Sequence, residues 1–220
     1  MNIYIVRHGE TDWNIKLKLQ GRSDIPLNQK GIDQARLTGE GLKQTGICFD
    51  KVYSSPLQRA VKTAELISGF SPSQIIKEQK IIEFAFGKAE GSTPQERKTN
   101  PDFAQIMDFF NNPPAYTPAE GAESFDEVFA RTSSFWEEEI RSLSSSPRNK
   151  NILVVTHGGT LQTLLMHIDG RPLKDFWKVS FPNCSVNKVV LEGGKFSLEW
   201  TSRVFYPQDA SSRQNWTEAR

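Results

Sequence analysis

Three short apolar runs set the frame of the chain, at residues 3–6, 49–53 and 152–155. The first and last are apolar at every position. That continuity predicts strands covered on both faces of a parallel sheet rather than a half-exposed hairpin. Helical patterns follow each run. Residues 28–46 carry an apolar line at Ile32, Ala35 and Leu42, with Gly46 as the stop. Three capping-box patterns mark further helix starts. Ser55-Pro56-Leu57-Gln58 and Thr93-Pro94-Gln95-Glu96 also place Pro at the first helical position, and Ser124-Phe125-Asp126-Glu127 lacks it. The last opens a long helix with Phe125, Val128, Phe129, Thr132, Trp136, Ile140 and Leu143 on one face, fading into a Ser-rich loop at 142–149. Another helix after Gly159 contains Leu161, Leu164, Leu165 and Ile168, and residues 186–191 and 196–200 form a closing hairpin around Gly193-Gly194.

Strands alternating with helices predict an α/β fold, a three-layer sandwich whose mostly parallel sheet is flanked by helices. One region breaks the alternation. Residues 84–121 are rich in Phe, Asn and Pro and read as a helical lid inserted over the sheet edge. We expect a single domain over residues 1–207, followed by a polar tail at 208–220. The chain has no internal repeat.

Charge narrows the ligand classes. With 27 basic and 26 acidic side chains the formal net charge is +1, which argues against a nucleic-acid coat or a polybasic membrane anchor. A bound anion must therefore be held by a few placed cations. The 37% of hydrophobic residues, including 14 Phe, suffices for a substantial core. The two cysteines, Cys48 and Cys184, have no metal-type spacing and fit a reducing cytoplasm, although a disulfide between them is left open. No secretory signal opens the sequence, and no aliphatic run approaches the roughly 20 residues of a membrane span. A cytoplasmic protein with no membrane and no nucleic-acid partner is the expectation.

Only three histidines occur, and two directly follow aliphatic strands, in Val6-Arg7-His8-Gly9 and Val155-Thr156-His157-Gly158-Gly159. Ligands of open α/β sheets bind at the carboxyl ends of strands, so two His-Gly steps there can face each other across one crevice. The glycines let backbone N–H groups approach an anion. Arg7 beside His8, and Arg59 near the helix start after the second strand, add guanidinium forks suited to phosphate. His167 lies in a Leu-rich helix, and a zinc site with His8 and His157 lacks metal-type spacing.

Arg7-His8-Gly9-Glu10-Thr11 resembles the hallmark of the histidine phosphatase superfamily, the phosphoglycerate-mutase-like proteins. Further matching blocks follow in order: Trp13-Asn14, Gln20-Gly21, Asp24-Ile25-Pro26-Leu27 with Gly31, Tyr53 through Ala60, Glu83 before Phe84-Ala85-Phe86-Gly87, Gly121-Ala122-Glu123, and Thr156-His157-Gly158-Gly159. The resemblance spans roughly residues 1–200. It implies that His8 is the nucleophile that becomes phosphorylated, that Arg7, Arg59 and His157 hold the phosphoryl oxygens, and that Glu83 protonates the leaving oxygen. Asn14, Gln20, Gly21 and Gly158 fall where the family places further phosphate contacts. The substrate implied is a small phosphorylated metabolite, with no cofactor and no metal, and a homodimer is compatible with the family. Two chemical expectations follow. The second ring nitrogen of His8 should donate to a backbone carbonyl, fixing a neutral tautomer; Glu83 should lie beneath Phe84 and Phe86 and keep a proton through burial.

The branch expected is a phosphatase. A mutase needs extra cations to grip a carboxylate, and in mutases of the family the acid Glu is typically followed by Arg, where this chain has Phe84. The insertion reads as an apolar lid without a second anion grip. A phosphoglycerate mutase is the main alternative, and a non-catalytic phosphate-binding protein the other.

Overall fold

The computed structural model describes residues 1–145 and 150–207. Strand β1 (Asn2–Arg7) leads into the one-turn helix α1 (Asp12–Ile15) and then α2 (Gln29–Gln44). Next come β2 (Lys51–Ser54), α3 (Gln58–Ser68) and the two-residue β3 (Ile76–Lys77). The insertion contributes α4 (Pro94–Thr99) and α5 (Ala104–Asn111). The chain then returns through α6 (Phe125–Ser134), β4 (Asn151–Thr156), α7 (Gly158–Asp169), β5 (Val186–Glu192) and β6 (Lys195–Arg203).

One sheet holds all six strands in the order β3-β2-β4-β1-β5-β6. The pairings β2–β3, β2–β4 and β1–β4 are parallel, whereas β1–β5 and β5–β6 are antiparallel. The sheet is thus mostly parallel, with an antiparallel edge hairpin turned by Gly193 and Gly194, whose φ angles of 54° and 77° suit a two-residue turn.

Period-two alternation along the strands divides the core. Ile3, Ile5, Ile152 and Val154 pack with Leu161, Leu164 and Leu165 of α7 and with Phe135, Trp136 and Ile140. Tyr4, Val6, Val52, Leu153 and Val155 point the other way, onto Ala35 and Leu42 of α2 and Ala60, Ala64 and Ile67 of α3. Each fully buried aliphatic or Phe side chain contributes about 1.5–3 kcal/mol, so both faces are strongly specified. A third cluster joins Phe84, Phe86, Phe109 and Phe110 of the insertion to Phe125 and Phe176.

The sequence reading departs from the structure at several places. β3 escapes the sequence reading: it is two residues long, both exposed, too short for Ile75-Ile76 to stand out as a strand. The helix expected to start from Ser55 begins at Gln58 after Leu57, which makes no side-chain cap; the Ser55 hydroxyl is engaged by His157 instead. The capping boxes at Thr93 and Ser124 form as expected, and an unforeseen one pairs Thr11 with Asn14. The long helix after Ser124 changes to a π-helix over Phe135–Ile140. Cys48 is exposed, Cys184 is buried, and both are free thiols. No helix among the described residues is long and apolar enough to cross a membrane. The polar tail at 208–220 and residues 146–149 of the Ser-rich loop lie outside the described residues.

Candidate active site

Sheet register builds the site. β1 and β4 are parallel neighbours with Arg7 opposite Thr156, so the next residues, His8 and His157, leave the sheet side by side. The His8 N–H extends the ladder by donating to the Thr156 carbonyl at 2.9 Å. The two rings lie 5.1 Å apart between centroids, tilted by 56°. His8 Nδ1 is 2.7 Å from the Gly9 carbonyl oxygen. A carbonyl only accepts, so Nδ1 carries the proton and Nε2 carries the lone pair, the tautomer expected of a nucleophile.

Both guanidiniums are buried, Arg7 at 2% exposure and Arg59 at 0%. Backbone carbonyls aim them. Arg7 Nη1 donates to Phe181 O at 2.8 Å, and Arg59 donates from Nη1 to Ser23 O and from Nη2 to Gly21 O, each at 2.7 Å. Arg59 Nε also donates to His157 Nδ1 at 3.2 Å, and His157 Nε2 meets the Ser55 hydroxyl at 2.6 Å. The first of these contacts leaves Nδ1 as acceptor, so His157 is neutral with its proton on Nε2. Burial, together with Arg59 and Arg7, holds the pKa of His8 well below the ordinary imidazole value; burial and Arg59, then His8, do the same for His157. Burial also lowers the Arg7 and Arg59 pKa values to about 10, which leaves both charged at neutral pH.

The remaining residues gather around this group. Asn14 Oδ1 accepts from the Thr11 N–H at 3.0 Å, and the Thr11 hydroxyl is 3.0 Å from Gln20 Oε1. Arg7, His8, Asn14, Gln20, Gly21, Arg59, Glu83 and Gly158 all line one cleft holding about 740 Å³ of empty space out to its mouth. The structure thereby brings eight of the nine sequence-derived site residues onto one wall, with His157 held directly behind Arg59.

Glu83 corrects one expectation. It is half-buried rather than sealed beneath Phe84 and Phe86. The Phe84 ring turns away into the aromatic cluster, packing on Phe109 and Phe125. The Glu83 carboxylate instead accepts from Gly159 N–H at 3.1 Å, Thr160 N–H at 3.0 Å, the Thr160 hydroxyl at 3.1 Å and Phe84 N–H at 3.1 Å. Gly159 is required there, since a Cβ would lie 2.8 Å from the Phe84 ring and 3.0 Å from Glu83 Oε1.

The insertion corrects another. Its cleft wall is not purely apolar, because Arg97 of α4, 2% exposed, lines the cleft with Phe109, Phe110 and Trp177, and Lys18 lines it too. Arg97 donates to Ser92 O at 2.6 Å and lies 5.6 Å from the Phe110 ring centroid. A single Arg on a six-residue helix has no periodic signature, so sequence reasoning missed it; Ser55 reads there only as a helix cap, and Thr160 carries no signal. His167 sits apart on the Thr132 hydroxyl at 3.0 Å, so the three histidines do not converge. Glu123 makes a supporting network, pairing with Arg22 at 2.6 Å and Arg131 at 3.2 Å.

Two imidazoles and two buried guanidiniums gathered beside one cleft, near the carboxyl ends of the parallel strands, mark an α/β protein with a cationic pocket. The histidine phosphatase superfamily (branch 1) family model matches residues 3–203, and the chain belongs to that superfamily. It is 36% identical over 169 residues to an uncharacterized phosphatase PhoE of Bacillus subtilis, covering 76% of this chain and 77% of the relative. It is 30% identical over 171 residues to a 2,3-bisphosphoglycerate-dependent phosphoglycerate mutase of Methylobacterium radiotolerans, covering 76% and 79%. Among solved structures, Bacillus stearothermophilus YhfR superposes with a TM-score of 0.80 at 30% identity, covering 92% of this chain and 97% of the other.

Proposed function

We propose that the protein hydrolyses phosphomonoesters of a small metabolite through a phosphohistidine at His8, without a metal ion. The observation that carries this reading is the Nδ1–H of His8 fixed on the Gly9 carbonyl, beside buried Arg7 and Arg59. Neutral His8 attacks phosphorus through Nε2 while the bond to the ester oxygen breaks. Arg7 and Arg59 stabilise charge on the equatorial oxygens, the main demand of phosphoryl transfer. His157, fully buried with Nδ1 on Arg59 and Nε2 on Ser55, serves the pocket by orienting Arg59. The leaving oxygen takes a proton from Glu83. A water then attacks the phosphohistidine, returns its proton to Glu83 and releases phosphate, so one hard displacement becomes two easier ones.

Hydrolysis is favoured over transfer back to substrate because Phe84, directly after the acid, is buried in the aromatic cluster, where mutases of the family are expected to present Arg. Arg97 and Lys18 at the cleft are the observation on the mutase side. Incubating 3-phosphoglycerate with and without 2,3-bisphosphoglycerate separates the two: free phosphate is expected, and accumulation of the 2-isomer would replace the hydrolase reading. For the chemistry itself, turnover of an aryl phosphate in EDTA should persist, and acid-labile, base-stable label from a radioactive substrate should sit on His8. Label on another side chain would overturn the mechanism.

A further inference from the structure

Glu90 lies at the base of the insertion, outside the cleft wall, yet its carboxylate is saturated with donors. Oε1 accepts from the Arg22 and Phe86 N–H groups at 3.0 and 3.1 Å, and Oε2 accepts from the Ser23 N–H and hydroxyl at 2.8 and 2.6 Å. Three of these four donors belong to the loop that starts at Gly21. The loop wraps the carboxylate so closely that a Cβ on Gly21, whose φ is +51°, would stand 2.2 Å from Glu90 Oε1.

The other side of that loop faces Arg59. The carbonyls of Gly21 and Ser23 accept from its Nη2 and Nη1, and its Nε donates to His157. A guanidinium has five N–H donors in a rigid plane. Three are held by the protein in this way, leaving two for a ligand in the cleft. The direction of those two is set by the two carbonyls, and the place of the carbonyls is set by Glu90.

We propose that Glu90 is a positioning residue for anion binding: it acts through the loop from Gly21 to Ser23 to aim Arg59 and never touches the ligand. The inference rests on the reading of Arg59 as a phosphoryl holder. Its sign separates it from plain electrostatics. A carboxylate near an anion pocket repels the anion, so neutralising Glu90 through space alone would tighten binding by a few-fold. Loss of positioning weakens it.

The test is the affinity of the full chain for inorganic phosphate, measured calorimetrically in a double-mutant cycle with Arg59→Ala. Glu90→Ala should weaken phosphate binding by roughly 10-fold or more, and coupling through Arg59 should reduce that penalty to about 2-fold or less in the Arg59→Ala background. Glu90→Gln keeps one acceptor oxygen but turns an amide N–H₂ toward donors, so a smaller loss in the same direction is expected. Should Glu90→Ala fail to fold, the Glu90→Gln cycle decides by the same criteria. Unchanged or tighter binding in the Glu90 variants overturns the inference, as does an undiminished penalty without Arg59. If Arg59→Ala leaves phosphate affinity intact, the reading of the pocket fails first, and this one with it.

Discussion

The histidine pocket and the aromatic cluster that anchors the insertion meet at Phe84 and Gly159, and they keep their shapes by opposite means. In the pocket, polar groups are aimed by hydrogen bonds to backbone: His8 on Gly9, Arg7 on Phe181, Arg59 on Gly21 and Ser23. In the cluster, rings set one another. Phe84 and Phe109 meet edge-to-face at 5.1 Å between centroids, Phe125 and Phe176 at 4.8 Å, and Phe109 stacks on Phe125 at 5.0 Å. Hydrogen bonds demand narrow distances and angles, whereas ring packing tolerates changes that conserve volume. The difference assigns chemistry to the first region, and stability and cleft shape to the second.

Substitutions can break that division or sharpen it. His8→Ala should lower turnover of an aryl phosphate by at least about 10⁴-fold, as loss of a nucleophile does, while thermal unfolding shifts little. A comparable loss of fold would show that the pocket is structural. Glu83→Gln should cost about 10²–10⁴-fold with alkyl phosphates and far less with aryl phosphates, whose leaving groups depart without a proton. Equal losses would remove Glu83 from the acid role. Phe109→Ala works on the other side of the comparison: it should cost about 3–5 kcal/mol of stability in urea titration and leave kcat on a small aryl phosphate within a few-fold. A large drop in kcat with stability intact would place the ring in the chemistry.

The most gradual effect comes with acid. His8 and His157 titrate well below 6.5 when folded and near 6.5 when unfolded. The unfolded chain therefore takes up protons first as pH falls. The stability tied to the neutral imidazoles is fully present above pH 6.5 and declines toward their folded values, by about 1.4 kcal/mol per pH unit for each ring. Melting curves between pH 7 and 5 should show this decline, and His8→Asn should flatten it. A slope unchanged by that substitution would contradict the burial argument.

What the sequence disclosed follows from physics that is local. Continuous apolar runs located β1 and β4, and the His-Gly steps placed His8 and His157 at their ends. Contacts that depend on distant partners were illegible. Ser55 reads as a helix cap until His157, 102 residues later, takes its hydroxyl. Glu83 reads as a buried acid because Phe84 and Phe86 follow it, yet α7 supplies three hydrogen bonds from Gly159 and Thr160 that no neighbour in sequence announces. Arg97 entered the cleft from a helix too short to carry a pattern, and β3 forms only because parallel β2 lies beside it.

The strand bearing His8 occupies the middle of the sheet, between β4 and β5, and the Leu191 N–H closes onto the Met1 carbonyl across 190 positions. During synthesis this strand leaves the ribosome well before β4 and β5, the two strands that flank it. Such non-local pairing makes folding slow and leaves partly made chains with open strand edges. A nascent polypeptide stopped before β4 carries His8 without Thr156 and His157 beside it, so the cleft takes shape only after β4 and β5 have followed.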